Sequence, residues 1–427
     1  MHIDPQPPVF APADILLPAG GIDLTKWAVV ACDQFTSQPE YWERVEKTVG
    51  QAPSTLRLIL PEAQLHERSL EAHIKAINDA MYRYLDQGVF QTLPGAMVYL
   101  ERTQSDGSVR HGLVGMVDLE QYDFTSGAST LIRATERTVL ERIPPRVHIR
   151  RDAPIELPHV LLLIDDPKET VIEPLTAAAG TMEPLYDFTL MENGGQLRGW
   201  RLRQQQMDAV TAALSALASP EEMERKYGMP DAAPLLFAVG DGNHSLAAAK
   251  ACYEEAKKGV PESQWAELPC RYALVEVVNC HDSAIQFHPI HRVLFGVEPR
   301  KVIDAFRQAY PDAYEGQGEG HTIRYVWAGG SGCLTVPHPV SQLAVGTLQS
   351  FLDRYLEGHK GEVDYVHGSR VSDELGSRSG NLAFELPAIG KEELFRTILT
   401  DGVLPRKTFS MGSASDKRYY MEARRIR

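Results

Sequence analysis

Three short apolar runs limit what this chain can fold into. Val160-Leu161-Leu162-Leu163-Ile164 follows His159 and is closed by Asp165-Asp166-Pro167. Leu235–Val239 leads into Gly240-Asp241-Gly242, and Ala273–Val278 comes next. The first run falls far below the roughly 20 residues a membrane span needs, and turn residues bound it, the pattern of a strand buried on both faces. The second reads as another buried strand and the third as the next strand. Helical patterns separate the runs. One helix carries Ala209, Leu214 and Leu217 on one side and runs towards Ser219-Pro220, and an alanine-rich one is expected over Ser245–Lys258. Alternation of this kind predicts an α/β core over roughly residues 95–300.

Other elements can be read around this core. Trp27–Ala31 reads as a strand leading into Cys32 and Asp33. Leu70, Ile74, Ile77, Met81 and Leu85 recur at helical spacing. Ala96–Arg102 and His111–Asp118 read as strands joined by a turn at Ser105–Ser108, and Met191–Gln206 as an exposed hairpin. Residues 315–320 read as a flexible connection, residues 329–332 as a tight turn, and Leu343–Leu356 and Lys391–Leu399 as helices. The expected organisation is an N-terminal region over 1–94, an α/β core over 95–310 and a C-terminal α/β region over 321–427. Arg418, Arg424, Arg425 and Arg427 read as part of a solvated tail.

Of the 427 residues, 43% are hydrophobic and 23% charged, enough apolar material for a sizeable core. The net charge of −14 argues against a surface that tracks nucleic-acid phosphates. Cys32, Cys252, Cys270, Cys280 and Cys333 are scattered and form no C-x-x-C pair, so neither a disulfide framework nor a zinc ribbon is indicated. The first residues lack the basic-then-apolar pattern of a signal peptide. A cytoplasmic protein without membrane or nucleic-acid partners is expected, and the oligomeric state stays open.

The turn Gly240-Asp241-Gly242-Asn243-His244-Ser245 is the strongest candidate site. A helix N-terminus leaves backbone N–H groups without intrahelical acceptors and carries the positive end of the macrodipole. Glycines before it let the backbone approach an anion. Asn243 or Ser245 can cap the helix, His244 can donate to a phosphate or move a proton, and Asp241 can hold a divalent cation or act as a base. The same residues also make a plain turn with a plain cap. There is no G-x-x-x-x-G-K-[ST] sequence, and a carboxylate inside the loop fits poorly with a dinucleotide fingerprint.

Gly242-Asn243-His244-Ser245-Leu246-Ala247-Ala248-Ala249 resembles the "D-G-H-H-R-x-x-A" turn of the Domain of Unknown Function 1015 family. Further segments follow in the family's order. Ala31–Thr36 stands where the family has "A-P-P-Y-D-V", and Arg133–Thr138 resembles "R-H-E-K-T". Glu183–Phe188 matches closely. Pro289–Val293 resembles "P-Y-N-R-V", Asp364–Gly368 "D-F-V-G-G", and Leu404–Thr408 "M-P-P-K-S-T". The chain departs from the pattern at Asn243 and Ser245, which replace a histidine and an arginine, and at Thr135, which replaces a histidine. It also lacks two prolines before Asp33.

The resemblance implies a ParB/sulfiredoxin-like core, in whose relatives a glycine-containing turn binds nucleotide phosphates. It thereby implies a nucleotide-dependent small-molecule phosphotransferase using ATP or ADP with Mg²⁺, with free serine or a similar hydroxyl compound as acceptor. Glu136 would be the base, with Asp241 and His244 also catalytic. Gly240, Gly242, Asn243, Ser245, Arg292 and Lys407 would bind phosphate, and Asp33 and His291 substrate. The alternative is a nucleotide-binding or regulatory protein without turnover. From spacing alone Glu136 is as readily an ion-pair partner of Arg133 and Arg137, and Asp33 a turn cap. His281, Asp282, His288 and His291 are dense in ligand atoms, but Pro289 and the missing third ligand lead to an expectation of no metal. No Ser/His/Asp triad is expected, because the chain lacks G-x-S-x-G.

Overall fold

In the computed structural model, residues 8–64, 70–138 and 143–427 are described. The chain is of mixed α/β class and divides into two compact units. One runs to Ile285 and resumes at Gly412–Arg427, and the other is Gln286–Met411. The first unit thus takes in the 1–94 region, the expected core as far as Ile285 and the C-terminal segment.

The largest sheet of the first unit runs Glu183–Thr189, Gln196–Arg201, Val98–Thr103, Val109–Asp118, Tyr272–Asn279, Leu161–Ile164, Phe237–Asp241, Ile132–Ala134 and Tyr122–Asp123. The three apolar runs are its adjacent middle strands, and Leu162, Val239 and Val277 are all fully buried. Leu161–Ile164 lies parallel to Tyr272–Asn279 and antiparallel to Phe237–Asp241. Phe237–Asp241 in turn lies parallel to Ile132–Ala134. The carboxyl ends of these four strands therefore fall in pairs at opposite ends of the sheet.

The hairpin of Val98–Thr103 and Val109–Asp118 forms as expected, with Ser108 N–H bonded to Asp106 Oδ1 at the turn. The periodic segment from Leu70 forms a helix to Asp86 and buries Ile74, Ile77 and Met81. The alanine-rich helix spans Asn243–Lys257. The helix Gln204–Leu217 buries Met207, Val210, Leu214 and Leu217 and leaves Ala209 exposed, so its apolar stripe is rotated from the expected one.

Three readings of local structure are corrected. Met191–Gln206 is not an exposed hairpin: Gln196–Arg201 lies between Glu183–Thr189 and Val98–Thr103 in the sheet, and Gln204 opens the next helix. Trp27–Ala31 is not a strand: Leu24–Trp27 is a helical turn capped by Asp23, and Val30 makes only an isolated bridge to Tyr419. These residues are fully buried by packing rather than by a ladder, which is why their apolar run looked like a strand. The C-terminal segment is not a solvated tail. Ala423–Arg425 is a strand between Ala13–Pro18 and Ile155–Glu156. Arg418 and Arg424 are buried and paired with Glu276, Glu422 and Glu156.

The second unit holds a sheet in the order Tyr314–Glu315, Gly330–Val336, His321–Trp327, Asn381–Glu385, Phe287–Phe295 and Glu362–His367, with Phe409–Met411 also on Phe287–Phe295. Its helices include Ala344–Gly358 and Lys391–Asp401, as the periodicity predicts. Among the described residues no helix is long and apolar enough to cross a membrane.

Candidate functional site

The site grows from the end of the Phe237–Asp241 strand. Gly242 takes the left-handed conformation, φ +80°, and turns the chain directly into the helix Asn243–Lys257. Gly240 has no left-handed φ and stays within the strand, so only one glycine of the pair is conformationally required. A Cβ at Gly242 would also lie 3.1 Å from Val160 Cα, a backbone atom that cannot give way. The first intrahelical bond runs from Leu246 N–H to Gly242 O, 3.0 Å, so residues 243–245 form the donor turn of the helix. Neither Asn243 nor Ser245 caps it, since Gly242 is the cap residue and no side chain serves there.

Asn243 points back to the neighbouring strand. Its Nδ2 donates to Thr135 Oγ1 at 3.3 Å, and Thr135 donates to Val239 O at 2.7 Å. Asn243 Oδ1 is buried without a hydrogen-bond partner. Parallel pairing sets Ala134 beside Val239, so Glu136, two residues on, leaves the sheet at the same end as Asp241. Arg133 is buried and spends its guanidinium on the carbonyls of Thr130, Ala233 and Pro234.

Distant segments complete the site. Lys417 Nζ lies 3.1 Å from Asp241 Oδ2, while Asp241 Oδ1 accepts from Gly242 N–H. Ser245 Oγ lies 3.1 Å from His159 Nε2, and Tyr420 OH lies 2.7 Å from His159 Nδ1. Tyr420 accepts from Cys32 N–H at 3.1 Å. Burial, then the nearby Cys32, pushes the Tyr420 hydroxyl well above its ordinary range, so it stays protonated.

A direction for the chain of bonds follows. With a neutral ring, Tyr420 donates to His159 Nδ1, the remaining proton sits on Nε2, and His159 donates to Ser245 Oγ. With a charged ring, the form that acts on Asp33, both nitrogens donate and Ser245 Oγ again receives from Nε2. Ser245 is left with its own proton to give. His159 in either form does not activate Ser245 as a nucleophile; it turns the hydroxyl into a donor beside the helix N-terminus. Such an arrangement suits an anion rather than an electrophile.

Asp33 and Cys32 border the same group. Burial works against ionising Asp33, but His159, a hydrogen bond from Gln34 and Lys417 outweigh it and hold the carboxyl below the usual range. Burial above all, then Asp33, pushes the Cys32 thiol up to about 12, which leaves it protonated and inert. Below Ser245 and His159 lies a cavity of about 150 Å³ lined by Leu58, Leu60, Ile149, Leu157, Leu246 and Leu274.

The other expected contacts lie in the second unit. Arg292 is fully buried and donates to the carbonyls of Ile290, Arg406 and Lys407. His291 is buried, accepting from Leu386 N–H and meeting Ser369. Burial and then Arg292 hold its pKa down, so it is neutral. His288 and His291 stand on the strand Phe287–Phe295, where a spacing of three puts them on opposite faces, one exposed and one buried. His281 instead meets Asp165 Oδ1 at 2.6 Å. The ligand atoms of Asp165, Cys280 and His281 lie within 4.8 Å of one another, and Lys226 Nζ is 3.5 Å from the same carboxylate.

Sequence reading named the turn, Asp33 and Glu136 as candidates and did not name His159, Lys417 or Tyr420. His159 had one signal, a polar residue opening an otherwise apolar run. Lys417 and Tyr420 had none, because only the return of the chain through the sheet brings them in.

No curated protein matches the chain. Among solved structures, a free serine kinase in complex with AMP is similar at 11% identity and a TM-score of 0.38, over 72% of this chain and 90% of that one. A conserved hypothetical protein from Pyrococcus furiosus is similar at 12% and 0.35, over 70% and 90%. C-terminally truncated SbnI from Staphylococcus aureus is similar at 11% and 0.38, over 72% and 85%. Superpositions this loose assign no ligand or reaction to the chain. The sequence match is of another kind: the family model described as protein of unknown function, DUF1015, covers residues 16–355, most of the chain, and the chain belongs to that family.

Proposed function

We propose that the first unit binds a nucleotide phosphate at Gly240–Ser245 and transfers a phosphoryl group to a small hydroxyl compound such as free serine. The observation that carries this reading is the parallel pairing of Ile132–Ala134 with Phe237–Asp241, which sends Glu136 and the glycine turn to one end of adjacent strands. Carboxyl ends of strands are where open α/β sheets take ligands. Phosphoryl transfer needs donors around the phosphate and a residue to orient or deprotonate the acceptor. The donors are the helix N-terminus, the Ser245 hydroxyl, His244 and Lys417; Glu136 is the base, and Asp33 meets the acceptor. The resemblance to ParB/sulfiredoxin-like proteins points the same way, since a turn of this kind holds nucleotide phosphates there.

Asp241 is the carboxylate that would hold Mg²⁺, which would supply charge neutralisation at the phosphates. Lys417 now pairs with that carboxylate and would turn to the phosphates if the ion took its place. A second reading, binding without turnover, draws on Asn243, whose amide is turned back to Thr135 instead of out to a ligand.

Calorimetric titration with ATP, ADP and AMP, with and without Mg²⁺, tests both. Glu136→Gln is expected to keep nucleotide affinity and to lose transfer to serine. Nucleotide binding with no transfer to any hydroxyl compound favours the second reading, and no nucleotide binding at millimolar concentration defeats both.

A further inference from the structure

In the second unit, three cations gather around one aromatic ring. The guanidinium carbons of Arg292 and Arg406 lie 5.0 Å and 5.2 Å from the centre of the Tyr365 ring, and Lys407 Nζ lies 5.5 Å from it. The register accounts for the first of these, because Arg292 and Tyr365 are cross-strand partners. Arg406 also donates from Nε to the Tyr365 hydroxyl at 2.8 Å.

The charges are unbalanced. Among the described residues no carboxylate lies within ion-pair distance of Arg406 or Lys407, although acidic residues outnumber basic ones in the chain, 57 to 43. Asp364, adjacent in the strand and therefore on its other face, accepts from the Tyr365 amide at Oδ1 and pairs with neither cation. Placing like charges together is unfavourable unless something of opposite sign is shared between them.

The backbone is strained at the same place. Lys407 has φ +53°, the left-handed region that glycine adopts freely and lysine does not. Buried Arg292 holds the turn in this shape by taking the carbonyls of Lys407 and Arg406, at 3.0 Å and 3.1 Å. The fold thus spends a buried guanidinium on presenting two exposed cations. Strain of this kind persists where the surrounding structure over-determines it, and it gathers at ligand sites.

We infer that Arg406 and Lys407, on the turn beside Tyr365, form a site for the phosphate group of a small-molecule ligand, with Arg292 as the positioning residue. A guanidinium fork and an ammonium suit the tetrahedral oxygens of phosphate, and the ring gives both a fixed platform. The site uses no residue of the turn in the first unit.

The test titrates the full chain with inorganic pyrophosphate at constant ionic strength and follows affinity and Tm, with chloride as the control. Variants are Arg406→Gln, Lys407→Gly and the two together. Pyrophosphate is expected to raise the Tm of the unaltered chain, and the double variant to lose affinity by on the order of tenfold or more. Lys407→Gly alone is expected to raise the ligand-free Tm, because it relieves the left-handed lysine, while weakening pyrophosphate. Gly242→Ala, in the first unit, is expected to leave the part of the response that Arg406 and Lys407 carry. No response in the unaltered chain, or a response undiminished in the double variant, overturns the site. A DNA duplex that binds more tightly than pyrophosphate, and is lost in the same variants, overturns the small-molecule class.

Discussion

Lys417 reaches Asp241 across nearly half the length of the chain, its ammonium 3.1 Å from the carboxylate, with both side chains largely buried at 15% and 20% exposed. The pair closes the candidate turn from outside its own strand and helix. Lys417→Ala and Asp241→Asn should each cost about 1 kcal/mol in urea denaturation. The double variant should cost less than the sum of the two. Strict additivity would show that the ion pair is not coupled.

Gly242 has two reasons to be glycine, its φ of +80° and the 3.1 Å that would separate an added Cβ from Val160 Cα. Gly242→Ala should lower stability by about 2 kcal/mol and abolish nucleotide binding. Val160→Ala in that background should restore little, because it removes the Cγ2 contact at 3.0 Å but neither the backbone contact nor the strain. Full recovery of the melting temperature would refute this account.

Tyr420→Phe removes the hydroxyl that joins Cys32 N–H to His159 Nδ1. A loss of about 1–2 kcal/mol is expected from the stranded groups. Nitrogen NMR provides the sharper readout. In the unaltered protein His159 Nδ1 should give the shift of an unprotonated nitrogen, and the variant should show mixed tautomers. A protonated Nδ1 together with an unprotonated Nε2 in the unaltered protein would reverse the direction assigned to Ser245.

Arg418 lies between Glu276 and Glu422, every partner at most 3% exposed. Removing one member of a buried charge group leaves the others uncompensated, so Arg418→Met should cost about 3 kcal/mol or more in equilibrium unfolding. A change within 0.5 kcal/mol would be the opposite result, the size of an ordinary surface substitution.

His111 meets Asp282 Oδ2 through its ring at 2.9 Å and its amide at 3.0 Å. The hydrogen bond to Asp282 raises the imidazole pKa, with burial opposing it. A raised folded-state value gives stabilisation that is complete below the unfolded value, about 6.5, and lost as pH rises through the folded one. Unfolding free energy should therefore decline from slightly acidic to mildly alkaline pH, and His111→Gln should flatten that decline. An unchanged slope would remove the pair as its source.

The legible parts of this fold were local. Leu161–Ile164 announces itself because a strand covered on both faces is apolar, Tyr272–Asn279 breaks that pattern mid-strand only at Glu276, and the Leu70–Asp86 helix shows its stripe directly. Trp27–Ala31 was misread because burial leaves the same composition whether or not a ladder forms. The glycine turn and Glu136 were visible one by one, yet their shared end of the sheet depends on which strands run parallel, and no residue pattern states that. The arginines near the C-terminus looked solvated because charge usually is; Arg418 and Arg424 are buried because they pair with Glu276 and Glu156, whose distance in sequence hides the pairing. The family match ends at residue 355, so Lys407, Lys417 and Tyr420 all fall beyond it.

The return of Gly412–Arg427 to the first unit also orders events in time. Lys417, Arg418, Tyr420 and the Ala423–Arg425 strand are translated only after the whole of Gln286–Met411. At ~5–20 residues per second that interval is on the order of ten seconds. During it the first unit holds Glu276 without Arg418 and His159 without Tyr420, and the Ala13–Pro18 and Ile155–Glu156 strands keep open edges. Nascent chains therefore pass through a stage in which one unit is complete and the other is still open to mispairing. The candidate turn gains its lysine last, so any ligand it takes can meet a finished site only after Gly412–Arg427 has followed the second unit.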